Sequence, residues 1–173
     1  DSLTEIGSSA FSGTKLTNIV ISKTVKKLGE SAFSLCNELI TATVSANLTE
    51  ILPQTFYDCE KLTEVKLPAT VTEICDRAFL GCKSLRSINL SDSLEKIGER
   101  AFNYCKALDN VKFSNKLKTI GDYAFGSCEA LKSIDIPDSV TELGEWAFHG
   151  CKKLTELKIG NGVTEIKKST FDM

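Results

Sequence analysis

Apolar residues recur along this chain at a fixed interval. Phenylalanines stand at Phe11, Phe33, Phe56, Phe79, Phe102, Phe125, Phe148 and Phe171, separated once by 22 residues and then six times by 23. Six residues after most of them comes a leucine: Leu39, Leu62, Leu85, Leu108, Leu131 and Leu154. Three further on lies another apolar residue, as in Val65, Ile88 and Ile134, and two beyond that a third, as in Leu67, Leu90 and Ile136. A further apolar pair follows, as in Val71/Ile74, Leu94/Ile97 and Val140/Leu143. The first unit is one residue short, so its equivalents are Leu16, Ile19, Ile21, Val25 and Leu28. A fixed period of this length means stacked repeats and outranks any reading by independent local windows.

Each unit divides into elements. The stretch Leu85-x-x-Ile88-x-Leu90 ends in alternation, which sends Ile88 and Leu90 to one face and Ser87 and Asn89 to the other. That predicts a short strand, and one strand per repeat stacks into a parallel sheet. The pair Val71/Ile74 fits either a turn or a second short strand. Next comes Gly-acid-x-Ala-Phe-x-x-Cys, as in Gly98 to Cys105. Ala101 and Cys105 are four apart with Phe102 beside them, so one or two helical turns would point all three inward. The acid (Glu30, Asp76, Glu99, Asp122 or Glu145) stands near the start of that turn, where it can accept free backbone N–H groups and meet the positive end of the peptide dipoles.

The repeating unit L-x-x-I-x-[LI]-P-x-x-V-T-x-I-G-x-x-A-F-x-x-C resembles the BspA-like leucine-rich repeat, also called the Treponema pallidum type, over essentially the whole chain. The resemblance implies an α/β solenoid: a right-handed leucine-rich-repeat superhelix of about seven 23-residue coils, with a parallel β-sheet on its concave face and short helical turns opposite. It also implies a cell-surface or secreted setting in host-associated bacteria or parasitic protists, with a role in adhesion and protein binding. Departures are few. The first unit lacks the Cys, while Leu52, Cys75 and Lys167 replace the glycine and are expected to distort the bend locally. The chain opens in mid-repeat at Asp1 and stops at Met173, with no polar cap at either end. Residues 1–173 therefore read as one leucine-rich repeat domain cut from a longer array.

Composition narrows the function classes. The 173 residues carry 21 Lys and Arg against 23 Asp and Glu, a net charge of −2 that argues against a nucleic-acid or anionic-membrane surface. No run approaches the ~18 consecutive apolar residues of a membrane span, so no direct membrane insertion is expected of this segment. Seven cysteines cannot all pair within one chain, and six of them (Cys36, Cys59, Cys82, Cys105, Cys128, Cys151) recur every 23 residues. A disulfide chain or a soft-metal ladder competes with a small apolar side chain filling one niche per coil. Equivalent side chains on adjacent coils project in parallel about 4.8 Å apart, whereas a disulfide needs converging Cβ atoms about 3.8 Å apart. Zinc sites use local Cys-x-x-Cys pairs, of which the chain has none. Buried free thiols and no cofactor are the expectation, with Cys75 structural as well.

Catalytic constellations are also missing. His149, the one histidine, precedes Gly150-Cys151, but Cys151 belongs to the core ladder, where burial leaves a thiol inert. No Gly-x-Ser-x-Gly motif, phosphate-binding loop or paired-carboxylate arrangement appears. The expectation is a non-enzyme.

Binding surfaces follow from rows. Outward strand positions give the row Asn18, Thr41, Glu64, Ser87, Asn110, Ser133 and Glu156, beside Val20, Thr43, Lys66, Asn89, Lys112, Asp135 and Lys158. From Thr41 onward these are the candidate contacts for a protein partner, such as a host-surface or matrix protein. The face is polar, mixed in sign and free of aromatics, so it lacks the stacking groups of single-strand nucleic-acid grooves and the anchors of tight interfaces. A secondary patch is expected at Tyr123 and Trp146, which share one repeat position a coil apart, with His149 beside them. Asn47-Leu48-Thr49 and Asn89-Leu90-Ser91 match the glycosylation sequon. Three roles fit: an adhesion module, a structural spacer in a surface protein, or an intracellular scaffold, which unpaired thiols would suit. The oligomeric state is not legible.

Overall fold

The structure, a computed structural model, describes residues 2–172. The terminal residues Asp1 and Met173, on which the expectation of mid-repeat ends partly rests, lie outside the described residues. Each coil contributes two short strands, except the last, which contributes one. One series comprises β2 (Asn18–Ile21), β4 (Thr41–Val44), β6 (Glu64–Lys66), β8 (Ser87–Ile88), β10 (Asn110–Val111), β12 (Ser133–Ile136) and β14 (Glu156–Ile159). The other comprises β1 (Glu5–Ile6), β3 (Lys27–Leu28), β5 (Glu50–Ile51), β7 (Glu73–Ile74), β9 (Lys96–Ile97), β11 (Thr119–Ile120) and β13 (Glu142–Leu143). The pair Val71/Ile74, which the spacing left open, thus leads into a second strand.

All pairings are parallel and in register at the repeat spacing, as in Thr41↔Glu64 and Ile74↔Ile97. The second series pairs continuously from β5 to β13. It runs past Leu52 and Cys75 undisturbed, with Ile51 opposite Ile74 and the Cys75 amide donating to the Ile51 carbonyl at 2.9 Å. The local distortion expected at Leu52 and Cys75 is therefore absent from the ladder, whereas the coil that carries Lys167 forms no second strand at residues 163–166. Where glycine is kept it meets a tight spot: a Cβ on Gly121 would stand 2.8 Å from the Glu99 amide of the preceding coil.

The short helical turns expected opposite the sheet do not form; no helix occurs among the described residues. Two positions in each turn explain why. The residue two before each phenylalanine has φ between 52° and 59°, from Ser9 through Arg77, Arg100, Tyr123 and Trp146 to Ser169. The residue two after it is again left-handed, as at Leu35, Asp58, Gly81 and Tyr104. A left-handed residue every fourth position is incompatible with a right-handed helix. It splits the amides into two sets instead. Ser31, Phe33 and Leu35 donate to Pro53, Thr55 and Tyr57 in the next coil, while Ser34 and Cys36 close tight turns within their own coil. The turn side thereby becomes a third inter-coil hydrogen-bond ladder, in which alternate amides bond to the next coil without a helix.

The acids placed at the start of those turns act across coils for the same reason. Asp76 accepts the Glu99 amide and Asp122 the Glu145 amide, each at 2.8 Å. The function assigned to a helix N-terminus passes to the shorter carboxylates, which reach the neighbouring coil.

The interior is a set of side-chain columns. Eight phenylalanine rings stack face to face with centroids 5.1–5.6 Å apart and planes within 11° of parallel. The six from Phe33 to Phe148 are wholly buried. Beside them runs the cysteine column. Each thiol donates to the carbonyl of the phenylalanine one coil back from its own, as Cys105 Sγ does to Phe79 at 3.2 Å and Cys128 Sγ to Phe102 at 3.3 Å. The cysteine therefore fills its niche as a small, fully buried side chain and also pairs a carbonyl that would otherwise carry only its turn hydrogen bond.

Candidate functional site

The candidate contact residues project from the first strand series because the strands alternate: Ile134 and Ile136 are buried, Ser133 and Asp135 exposed. Parallel register sets the side chains of successive coils side by side. Thr41 donates to Asn18 at 2.6 Å, and Lys158 pairs with Asp135 at 3.2 Å. Lys66 pairs with Glu64 on its own strand at 3.3 Å. Lys112 is the lysine of this face that has no carboxylate partner among the described residues. Glu64, Lys66, Ser87, Asn89, Asn110, Lys112, Ser133, Asp135, Glu156 and Lys158 are all exposed, while Thr41 and Thr43 are half-buried.

These residues do not form one continuous site. Asn110, Lys112, Ser133, Asp135, Glu156 and Lys158 line a groove of ≈ 1190 Å³ over β10, β12 and β14, whereas Thr41, Thr43, Glu64 and Lys66 lie outside it. The groove also takes in Asn115, Ser139 and Asn161 from the loops that follow those strands. The row reading missed them because they sit beyond the alternating stretch. Asn115 and Asn161 precede the apolar pairs of their coils, and that polar position was the available signal.

The turn side gathers the other candidates. Tyr123 and Trp146 stack with centroids 5.7 Å apart and planes 1° from parallel, and His149 meets the Trp146 ring edge-on at 5.0 Å. The structure adds Arg100, whose guanidinium lies 5.0 Å from the Tyr123 centroid. Arg100 occupies the same repeat position as the two rings, a row with the left-handed backbone described above. That shared position was readable in the sequence, but an arginine there carries no apolar signal.

Burial governs the thiols. It pushes Cys82, Cys105 and Cys128 far above the usual thiol range and Cys151 up to about 12. Cys75, half-buried, is raised to about 12 by burial and by the Glu73 and Glu50 carboxylates. Cys36 differs, because Thr14 takes the place of a cysteine in the preceding coil. Its contacts with the Cys59 thiol and with the Thr14 hydroxyl, 3.4 Å away, draw Cys36 below the ordinary thiol range, and the same thiol contact drives Cys59 upward.

Comparison with known proteins matches this architecture. The profile of the BspA type leucine rich repeat region, in six copies, covers residues 1–86 and 72–173. A leucine rich cell surface protein from Faecalibacterium prausnitzii A2-165 is 31% identical with a TM-score of 0.83, over 90% of this chain and 42% of its own. A Treponema pallidum leucine rich repeat protein is 30% identical with a TM-score of 0.65, over 90% of this chain and 63% of its own. The pneumococcal vaccine antigen PcpA, at 20% identity and a TM-score of 0.55, shares the fold over 96% of this chain and 56% of its own. No curated protein matches. The chain thus spans less than two thirds of the length of these relatives. No helix among the described residues is long and apolar enough to cross a membrane. With that profile matched from one end of the repeat array to the other, the chain belongs to the BspA-type leucine-rich repeat family.

Proposed function

We propose that this chain is a non-catalytic protein-binding module of a cell-surface or secreted protein, and that its contact face is the outward side of the first strand series, the concave face of the solenoid. One observation carries the reading. The groove over β10, β12 and β14 is walled by hydrogen-bonding and charged side chains on strands whose backbone is fixed by neighbours in register. Rigid elements hold such groups in place at little entropic cost on binding. The surface setting draws support from the F. prausnitzii relative, which is a cell surface protein. A partner there would be a host-surface or matrix protein recognised through mixed charge rather than aromatic anchors.

The test reverses charge without touching the core. In the triple variant Lys66→Glu, Lys112→Glu and Lys158→Glu, adhesion or partner capture by the full protein should fall about tenfold or more, with the melting temperature nearly unchanged. Of the three, Lys112→Glu alone should carry the largest share, because its ammonium breaks no ion pair when it is replaced. Unchanged adhesion would move the contact elsewhere on the coil and leave the strand face as a spacer surface.

A further inference from the structure

The turn side holds all three tyrosines (Tyr57, Tyr104, Tyr123), the one tryptophan and the one histidine, together with Arg77 and Arg100. These are the residue types that dominate binding energy at protein interfaces, and the strand face has none of them in its outward rows. Their arrangement is ordered. Arg77, Arg100, Tyr123, Trp146 and Ser169 occupy one repeat position in five successive coils, all with φ between 52° and 59°. Within that row the Arg100 guanidinium covers one face of Tyr123 at 5.0 Å, and Trp146 covers the other at 5.7 Å. The column then stops. Its next member is Ser169, too small to cover the far face of the indole, and no cation among the described residues lies over Trp146.

From this geometry we infer that the face of Trp146 turned toward Ser169 is a binding slot for an arginine side chain of a protein partner, which caps the stack at this end as Arg100 caps it at the other. The charges around the slot select a cation. Glu145, the residue immediately before Trp146, is exposed and pairs with no lysine or arginine among the described residues. By contrast, Glu99, the equivalent acid two coils earlier, is taken by Arg77 and Arg100. Asp172 stands 4.0 Å from His149 Nδ1, a buried nitrogen with no hydrogen-bond partner, on the edge of the same indole. Two lysines, Lys167 and Lys168, stand just before Ser169, Lys168 next in the acidic row, and the slot's carboxylates are open to a competing guanidinium because neither lysine pairs with them. A guanidinium stacks flat on an indole and donates in plane to carboxylates, which an ammonium cannot do at once. This surface is separate from the strand face, so the lysine triple variant above leaves it intact and the two proposals stand or fall apart.

The test uses the indole as its own reporter, since Trp146 is the one tryptophan. The chain is titrated with N-acetyl-arginine amide and with the neutral isostere N-acetyl-citrulline amide, following Trp146 fluorescence and its indole N–H signal by NMR. A saturable shift is expected with arginine, about three- to fivefold weaker with citrulline. It should weaken further in Glu145→Gln and tighten in Lys168→Gln. Ser169→Arg places a guanidinium in the slot on a backbone position already held by arginine at 77 and 100, so it should shift the indole signal and abolish the response. Equal binding of citrulline, no saturable shift with arginine, a stronger response to an aromatic probe such as N-acetyl-tyrosine amide, or an unchanged response in Ser169→Arg would each overturn the proposal.

Discussion

Leu35 holds a left-handed backbone at φ 59° and leaves 46% of its surface exposed, in the row where Gly13, Gly81 and Gly150 stand in other coils. A side chain in that conformation costs roughly 1–2 kcal/mol, against the roughly 0.5–1 kcal/mol that glycine loses through its freer unfolded state. Leu35→Gly should therefore stabilise the chain by about 0.5–1 kcal/mol, read as a higher urea midpoint at unchanged slope. The converse holds at Gly81, with φ 75° and the Asp58 carboxylate where a Cβ would go. Gly81→Ala should lose about 1–2 kcal/mol. A destabilised Leu35→Gly would mean that the leucine side chain packs on its neighbours strongly enough to outweigh its backbone.

Among the elements, the cysteine column sets a pH limit. Cys59, Cys82, Cys105, Cys128 and Cys151 are held protonated far above the ordinary thiol value, Cys59 first by its contact with Cys36 and then by burial, the others by burial. In the unfolded chain they ionise near pH 8.5. Between that pH and their folded values the native state binds more protons, so the contribution of these five is full below about 8.5 and is lost as pH rises. Each thiol contributes a slope of up to about 1.4 kcal/mol per pH unit in that window. Thermal melts from pH 7.5 to 10 should show a steep decline, and Cys105→Ala should flatten it by one thiol's share. An identical slope in Cys105→Ala would remove the column as its cause. The same column shows how far the sequence could be read. The 23-residue spacing of phenylalanine and cysteine foretold stacked coils, buried free thiols and two of the three faces, because spacing and polarity alone decide those. It could not foretell that Arg77 or Trp146 would adopt a left-handed backbone, since only contact with the next coil stabilises that conformation. The turn therefore read as a helix. Nor could polarity alone show that only part of the strand face, from Asn110 to Asn161, closes into a groove.

At the scale of the whole molecule, each coil touches only its neighbours, and stability becomes a sum of coil terms and interface terms. Phe102 stacks between Phe79 and Phe125 at 5.2 and 5.1 Å and is wholly buried, whereas Phe11 and Phe171 are half-buried, each stacked on one ring among the described residues. Phe102→Ala should cost about 3–5 kcal/mol, as for other buried phenylalanines, and Phe11→Ala markedly less. The damage should also be local. Two ring stacks and the packing around Cys128, whose thiol donates to the Phe102 carbonyl, are disturbed together. Hydrogen exchange in Phe102→Ala should therefore accelerate most in β8 to β11, with β2, β4 and β14 protected nearly as in the parent chain. A uniform acceleration from β2 to β14 would show instead that the eight-ring column and its three hydrogen-bond ladders couple the coils into one cooperative unit. A surface meant to bind as a rigid whole needs some of that coupling. The exchange pattern thus measures how many coils a partner on either face engages as a single body.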